Sequence, residues 1–196
     1  MTAIRSFRKL VMRKRNLICA LVVVGLLPGL SPRAQATADT AEEYEVKAAM
    51  YINLLRLVDW PGKQPDASVP YVIGVSGSDD MARALETISQ AKNPGSARRV
   101  TVRRISGTVG LEECHSVFVG GGDRKRIQAT VLALSKTPVL TVGETDSFLS
   151  LGGMIDLTLR DDRVQIEVNL GAAQGAGLAI SSRLLKIAVV RKGGAL

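Results

Sequence analysis

The stretch HSVFVGGGDRKRIQATV, residues 115–131, decides the class of fold that this sequence specifies. Its apolar run SVFVG (116–120) predicts a buried strand, and the glycines and Asp123 that follow predict a turn into a basic helix. The same order recurs upstream, where YVIGVSG (71–77) predicts a strand and DDMARALETISQA (79–91) predicts a helix. Because strands that alternate with helices pair in parallel through right-handed crossovers, the pattern indicates an α/β fold.

The rest of the chain extends this sheet and then changes character. RVTVRRIS (99–106) and PVLTVG (138–143) predict two further strands, and GGMIDLTLRDDRVQIEVNL (152–170) predicts an antiparallel hairpin around a polar turn. The segment 171–190 predicts a closing helix that covers the sheet with Leu178, Leu184, Leu185 and Ile187. We therefore expect one α/β domain, a mostly parallel sheet flanked by helices with a C-terminal antiparallel hairpin and closing helix.

A helix is also predicted ahead of the first strand. Thr40 and Glu43 form a capping-box signature, and Trp60 before Pro61 marks the expected end. Helical spacing places one set of side chains on a common face: Val46, Ala49, Met50, Asn53, Leu54 and Leu57.

Residues 1–36 have the features of a signal peptide. A basic head precedes the apolar run 17–30, which is too short for a membrane-spanning helix. Ala34-Gln35-Ala36 matches the small–x–small pattern of a cleavage site. We expect cleavage after Ala36, export to the periplasm, and a single domain over 37–196 with its core at about 43–190.

This processing would remove nearly all of the net positive charge. The chain has 26 basic and 18 acidic residues, a net charge of +8. Residues 1–36 contain seven basic residues and no acidic one, so their loss leaves 19 against 18, or +1. A nearly neutral domain does not favour binding to nucleic acid.

The residues that usually carry catalysis or bind metals are scarce. Cys114 is the only cysteine after Ala36, and His115 is the only histidine. Consecutive side chains of an extended segment point to opposite faces, so the two do not predict a catalytic dyad. We expect no enzyme activity, no metal site and no cofactor. Cys114 is either a buried thiol or a redox-active one that pairs with a second copy in a disulfide-linked homodimer.

The glycine loop does not fit a phosphate site. Three consecutive glycines lack the spacing of a P-loop, and Lys125 stands where G-x-G-x-x-G requires a glycine. Asp123, as an N-cap, would occupy the helix-terminal N–H groups. The loops after the predicted parallel strands, with Gly77, Gly121 and Glu144, are still candidates for binding a small ligand.

Taken in order, the segments resemble the YfiR-like periplasmic proteins. The resemblance rests on the following stretches: EYEVKAAMYINLLRLVDWP (43–61), YVIGVSG (71–77), CHSVFVG (114–120), PVLTVGETDSF (138–148), the hairpin (152–170) and AGLAISSRLLKIA (176–188). Two features differ from the family pattern. Only Cys114 of the family's cysteines is present, and Ile166 stands where an aromatic residue is expected.

The resemblance implies a regulator rather than a catalyst. YfiR-like proteins bind and restrain an inner-membrane diguanylate cyclase through its periplasmic domain, which lowers cyclic di-GMP and disfavours biofilm formation. An outer-membrane lipoprotein can draw the regulator away. On the first helix and at its end, Tyr44, Leu55 and Trp60 are candidate partner-binding residues. A periplasmic small-ligand sensor is the alternative function.

Overall fold

The computed structural model describes residues 32–60, 69–90, 99–161 and 163–191, with side chains from Thr40 onward. The described residues from Asp39 onward form one compact unit. The predicted signal peptide (1–36) lies outside the described residues except for positions 32–36, so its cleavage stays a prediction. Among the described helices, none combines the length and apolar character needed to cross a membrane.

Five helices and nine strands occur in the described residues. The helices are α1 (Pro32–Leu55), α2 (Asp79–Gln90), α3 (Arg124–Leu134), α4 (Leu170–Gly175) and α5 (Ser182–Ile187). The strands are β1 (Val58–Asp59), β2 (Tyr71–Ser76), β3 (Val100–Arg104), β4 (Ser116–Val119), β5 (Leu140–Gly143), β6 (Ile155–Arg160), β7 (Arg163–Asn169), β8 (Ala179–Ile180) and β9 (Val189–Arg191). Short 3-10 turns lie at Leu111–Glu113 and Leu149–Leu151.

Seven strands form one sheet in the order β3-β2-β4-β5-β6-β7-β9. The neighbours pair in parallel, except that β6 and β7 form an antiparallel hairpin. The short strands β1 and β8 pair separately and antiparallel. The prediction of an α/β fold with a mostly parallel sheet and a C-terminal hairpin is therefore confirmed.

Apolar side chains cover both faces of this sheet. One cluster joins α1, α2 and the C-terminal segment to the sheet and contains Tyr51, Phe118 and Leu157. A second cluster joins α3 to the opposite face and contains Val117 and Phe148. Burial on two faces explains why every residue of β4 is buried, rather than every second one.

The first helix differs from the prediction in its ends and its buried face. It contains Thr40 rather than beginning there, and it ends at Leu55 because Val58–Asp59 pairs with β8. The face that packs inward consists of Lys47, Ala48, Tyr51, Leu54 and Leu55. Val46, from the predicted face, is 47% exposed. The predicted face is therefore right for Leu54, which is buried, and wrong for Val46, because the helix turns Lys47 inward toward its buried partners.

The predicted closing helix is also wrong in its extent. α5 ends at Ile187, and Val189–Arg191 becomes an edge strand that pairs in parallel with β7. Leu178 and Leu184 are buried as expected, whereas Ile187 is 66% exposed. Two consecutive β-branched valines suit a strand better than a helix, which accounts for the change.

Candidate functional site

The three predicted ligand loops meet at the carboxyl end of the parallel strands. Gly77 follows β2, Gly121 follows β4 and Glu144 follows β5. A Cβ added to Gly121 would lie 3.1 Å from the Gly77 carbonyl oxygen, and one added to Gly120 would lie 3.1 Å from Oε1 of Glu144. These loops therefore lie next to one another, at the type of sheet edge where α/β proteins bind ligands, and their role in binding a ligand stays a prediction.

The space between the first two loops is filled by an arginine. The Arg126 guanidinium of α3 donates to Ser76 Oγ at 3.0 Å and to the Gly120 carbonyl. It also lies where a Cβ of Gly77 would be, which explains why a residue with φ of +76° there is a glycine. A ligand in this crevice would have to displace Arg126.

Asp123 caps the helix as the sequence predicts. Its side chain accepts hydrogen bonds from the backbone N–H groups of Lys125 at 3.0 Å and Arg126 at 3.2 Å. A carboxylate at these donors repels a phosphate and takes the hydrogen bonds that would hold one. The prediction that this loop is a tight turn rather than a phosphate cradle agrees with this geometry.

A buried ion pair connects helix α1 to the third loop. Lys47 is 4% exposed, and its Nζ lies 2.9 Å from Oε2 of Glu144 and 2.5 Å from Oε1 of Glu43. The Tyr44 hydroxyl donates to Oε1 of Glu144 at 3.1 Å. Burial alone would lower the pKa of Lys47, but hydrogen bonds to Glu43 and Glu144 outweigh it and hold the pKa above its ordinary value. This network was missed because Lys47 looks like a solvent-facing helix residue.

Cys114 and His115 serve different parts of the fold. Cys114 is buried, and burial raises the pKa of its thiol. His115 Nδ1 accepts a hydrogen bond from the Val72 N–H at 3.0 Å, and its ring meets Tyr71 edge-on at 5.5 Å. These contacts give the pair structural roles at the start of β4.

We predict that the Cys114 thiol reacts slowly in the folded protein. A buried thiol with a raised pKa has little thiolate and little access to reagent, so Ellman's reagent should label it roughly 100-fold more slowly than in 8 M urea. Cys114→Ser should abolish both this labelling and any reducible dimer. Equal labelling rates in the two conditions would contradict the burial. A dimer band unchanged in Cys114→Ser would contradict pairing through this residue.

The predicted partner-binding residues are mostly inside the core. Leu55 is 0% and Trp60 is 2% exposed, whereas Tyr44 is half-buried against Glu144. Of the three, only Tyr44 presents part of its surface to solvent. Their role in binding a partner stays a prediction, and an accessible surface of mixed aliphatic and charged side chains lies elsewhere.

That surface lies beside the β6–β7 hairpin, and we call it the hairpin groove. It has a volume of about 700 Å³, and its lining combines aliphatic and charged side chains: Met50, Arg160, Asp161, Arg163, Val164, Gln165, Ile166, Ile187 and Val189. Ile187 is 66% and Val189 is 37% exposed. Arg160 at its edge pairs with Asp146 at 2.8 Å. The groove was not predicted because Ile187 and Val189, which line it, belong to the segment that was expected to form a helix covering the sheet.

A comparison with protein-family models matches residues 44–189 to the family described as YfiR/HmsC-like. The chain belongs to the YfiR/HmsC-like family. The match runs from Tyr44 of α1 to Val189 of β9, so it includes both the buried ion pair and the hairpin groove. YfiR/HmsC-like proteins are in general periplasmic regulators rather than enzymes. In the part of this member that the structure describes, no group of three or more His, Cys, Asp or Glu residues is arranged to hold a metal ion.

Proposed function

We propose that this protein is a non-catalytic periplasmic regulator that binds and restrains an inner-membrane diguanylate cyclase. Binding would lower cyclic di-GMP signalling and disfavour biofilm formation. Membership of the YfiR/HmsC-like family supports the class of function. The observation that carries the proposal for this chain is the hairpin groove, an accessible surface that combines aliphatic and charged side chains.

The groove has the composition of a protein-binding surface. Val164 and Met50 are half-buried and Ile166 is nearly covered, so they form an apolar base, while Ile187 stands at the edge. Exposed apolar patches bordered by charged residues mark interaction sites, and arginine is enriched in them. We assign the cyclase's periplasmic domain to this groove.

Ile187→Asp should disrupt this interaction with little effect on folding, because Ile187 is 66% exposed. Leu132→Asp is the matched control, since Leu132 is 59% exposed on α3, which packs on the opposite face of the sheet. A charge placed in an apolar contact that binding would bury costs about 2 kcal/mol or more, so Ile187→Asp should weaken binding by about 30-fold or more.

The measurement is co-purification of tagged protein with solubilised inner-membrane proteins. We expect a diguanylate cyclase to co-purify with the wild type and with Leu132→Asp, and to be lost with Ile187→Asp. Equal recovery with all three proteins would contradict the assignment to the groove. Failure of any cyclase to co-purify with the wild type would contradict the proposed function itself.

A small-ligand sensor is the second candidate function. It is favoured by the meeting of the Gly77, Gly121 and Glu144 loops at one sheet edge. Against it, Arg126 fills the crevice, and Lys47 binds Glu144. An outer-membrane lipoprotein and a second copy of the chain are further proposed partners. A metabolite retained through purification, and bound more tightly when Arg126→Ala opens the crevice, would favour the sensor.

A further inference from the structure

Two carboxyl groups lie opposite each other inside the β6–β7 hairpin. Asp156 of β6 is the register partner of Glu167 of β7, and the two residues are 3% and 8% exposed. Side chains directly opposite each other on an antiparallel pair share a face and lie about 5 Å apart at Cβ. The hairpin therefore holds two acidic side chains next to each other and away from water.

The two carboxyl groups have unequal partners. Glu167 accepts two hydrogen bonds of 2.9 Å from the guanidinium of Arg191, on strand β9. Asp156 Oδ1 is buried with no hydrogen-bond partner in the described residues, and so is Oγ1 of Thr158, two positions along the same strand. An ionised carboxylate needs donors, because it can only accept hydrogen bonds. The geometry is therefore better suited to a protonated Asp156.

The surrounding charges act in the same direction. Asp156 faces Glu167 from β7, Asp146 and Glu144 from the loop after β5, and Lys47 from α1. Burial raises the pKa of Asp156 to about 7, the charges of the three acids add to the shift, and Lys47 offsets part of it. The hydrogen bonds from Arg191 lower the pKa of Glu167. The environment thus separates the pKa values of two adjacent carboxyl groups.

We propose that Asp156 is a proton-binding switch in the β6–β7 hairpin. With Asp156 protonated, the carboxylate of Glu167 and the guanidinium of the partly exposed Arg191 balance, and the three side chains together are neutral. When Asp156 releases its proton to solvent, an uncompensated negative charge appears opposite Glu167. Like charges directly opposite each other weaken strand pairing, so ionisation loosens the hairpin.

The hairpin also supplies Val164 and Ile166 of the hairpin groove. Rising pH would therefore loosen the surface assigned to the cyclase, and partner binding would weaken as the periplasm becomes alkaline. This regulatory consequence rests on the proposed function. The switch itself is a property of the isolated protein.

The sign of the effect follows from proton linkage. Asp156 has an ordinary pKa of 3.8, so between about pH 4 and pH 7 the unfolded chain has lost this proton while the folded protein keeps it. The stability contributed by Asp156 therefore falls as pH rises through this window and levels off above it. Glu167 acts in a different window, because a lowered pKa gives stability that is lost only as pH falls below its ordinary value of 4.5.

Urea unfolding of the purified protein at pH 5 and pH 8 tests the switch. The wild type is compared with Asp156→Asn and Asp156→Ser, two neutral variants, and with Asp79→Asn, whose side chain is 81% exposed. Relative to either Asp156 variant, the unfolding equilibrium constant of the wild type should rise about 100-fold from pH 5 to pH 8. The ratio of wild type to Asp79→Asn should stay constant. A ratio to the Asp156 variants that changes by less than about threefold would overturn the proposal.

Amide hydrogen exchange, corrected for the intrinsic effect of pH, tests the location. Between pH 6 and pH 8, amides of β6 and β7 in the wild type should lose about tenfold in protection. Asp156→Asn should keep the protection of these amides. The same loss in Asp156→Asn, or unchanged protection of the hairpin amides in the wild type, would overturn a hairpin switch. Because neither measurement uses the cyclase, this result is independent of whether the proposed function is correct.

Discussion

Replacing Phe148 with alanine is expected to lower the free energy of unfolding by about 3–5 kcal/mol. Phe148 is 0% exposed and its ring lies against Gly143 and Gly153, where it occupies the positions that a Cβ would take. The two glycines thus make room for one aromatic ring. Truncation leaves a cavity between the two glycines. The backbone at Gly143 cannot readily move in to fill it, because β5 is paired within the sheet.

Urea denaturation measures this change, and a thermal scan should show a decrease of roughly 6–20 °C in Tm for a domain of this size. Leu132→Ala is the control, since this leucine is 59% exposed on α3 and its truncation should cost less than about 0.5 kcal/mol. A loss below about 1 kcal/mol for Phe148→Ala would contradict the described packing.

Replacing Lys47 with methionine is expected to cost about 3 kcal/mol, although methionine preserves most of the side-chain volume. The Glu144 side chain is 10% exposed, so removing the ammonium group leaves a carboxylate with little access to water and, among the residues that the structure describes, Tyr44 as its one remaining side-chain donor. The loss therefore comes from an unpaired buried charge rather than from a cavity. Urea unfolding at pH 7 measures it.

The double variant Lys47→Met/Glu144→Gln separates charge from packing. It removes both Lys47 and the Glu144 carboxylate and leaves only the more exposed Glu43 without its cation, so most of the lost stability should return. If the double variant is as unstable as the sum of the two single variants, Lys47 stabilises the protein through packing and the ion-pair explanation is wrong.

The parallel sheet could be predicted because its evidence is local. The apolar runs 71–77 and 116–120 have the length of strands, and each is followed by a capped helix. Right-handed crossovers then connect such strands in a parallel sheet. The N-cap role of Asp123 and the meeting of the Gly77, Gly121 and Glu144 loops follow from the same local rules.

The missed features depend on pairings between distant segments. The burial of Lys47 is determined by Glu144, which lies far along the chain. The strand at Val189–Arg191 exists because β7 offers an unpaired edge, and only that pairing exposes Ile187 beside the hairpin. The hydrophobic periodicity of a single segment does not show which distant segment it will contact. The hairpin groove and the buried ion pair therefore could not be predicted from the sequence.

The most direct test of the central claim is the level of cyclic di-GMP in a strain that lacks this protein. If the protein restrains a diguanylate cyclase through the hairpin groove, deletion should raise cyclic di-GMP. The wild type and Leu132→Asp should restore the low level, whereas Ile187→Asp should not, at equal protein abundance. A cyclic di-GMP level that is unchanged by the deletion would contradict the account.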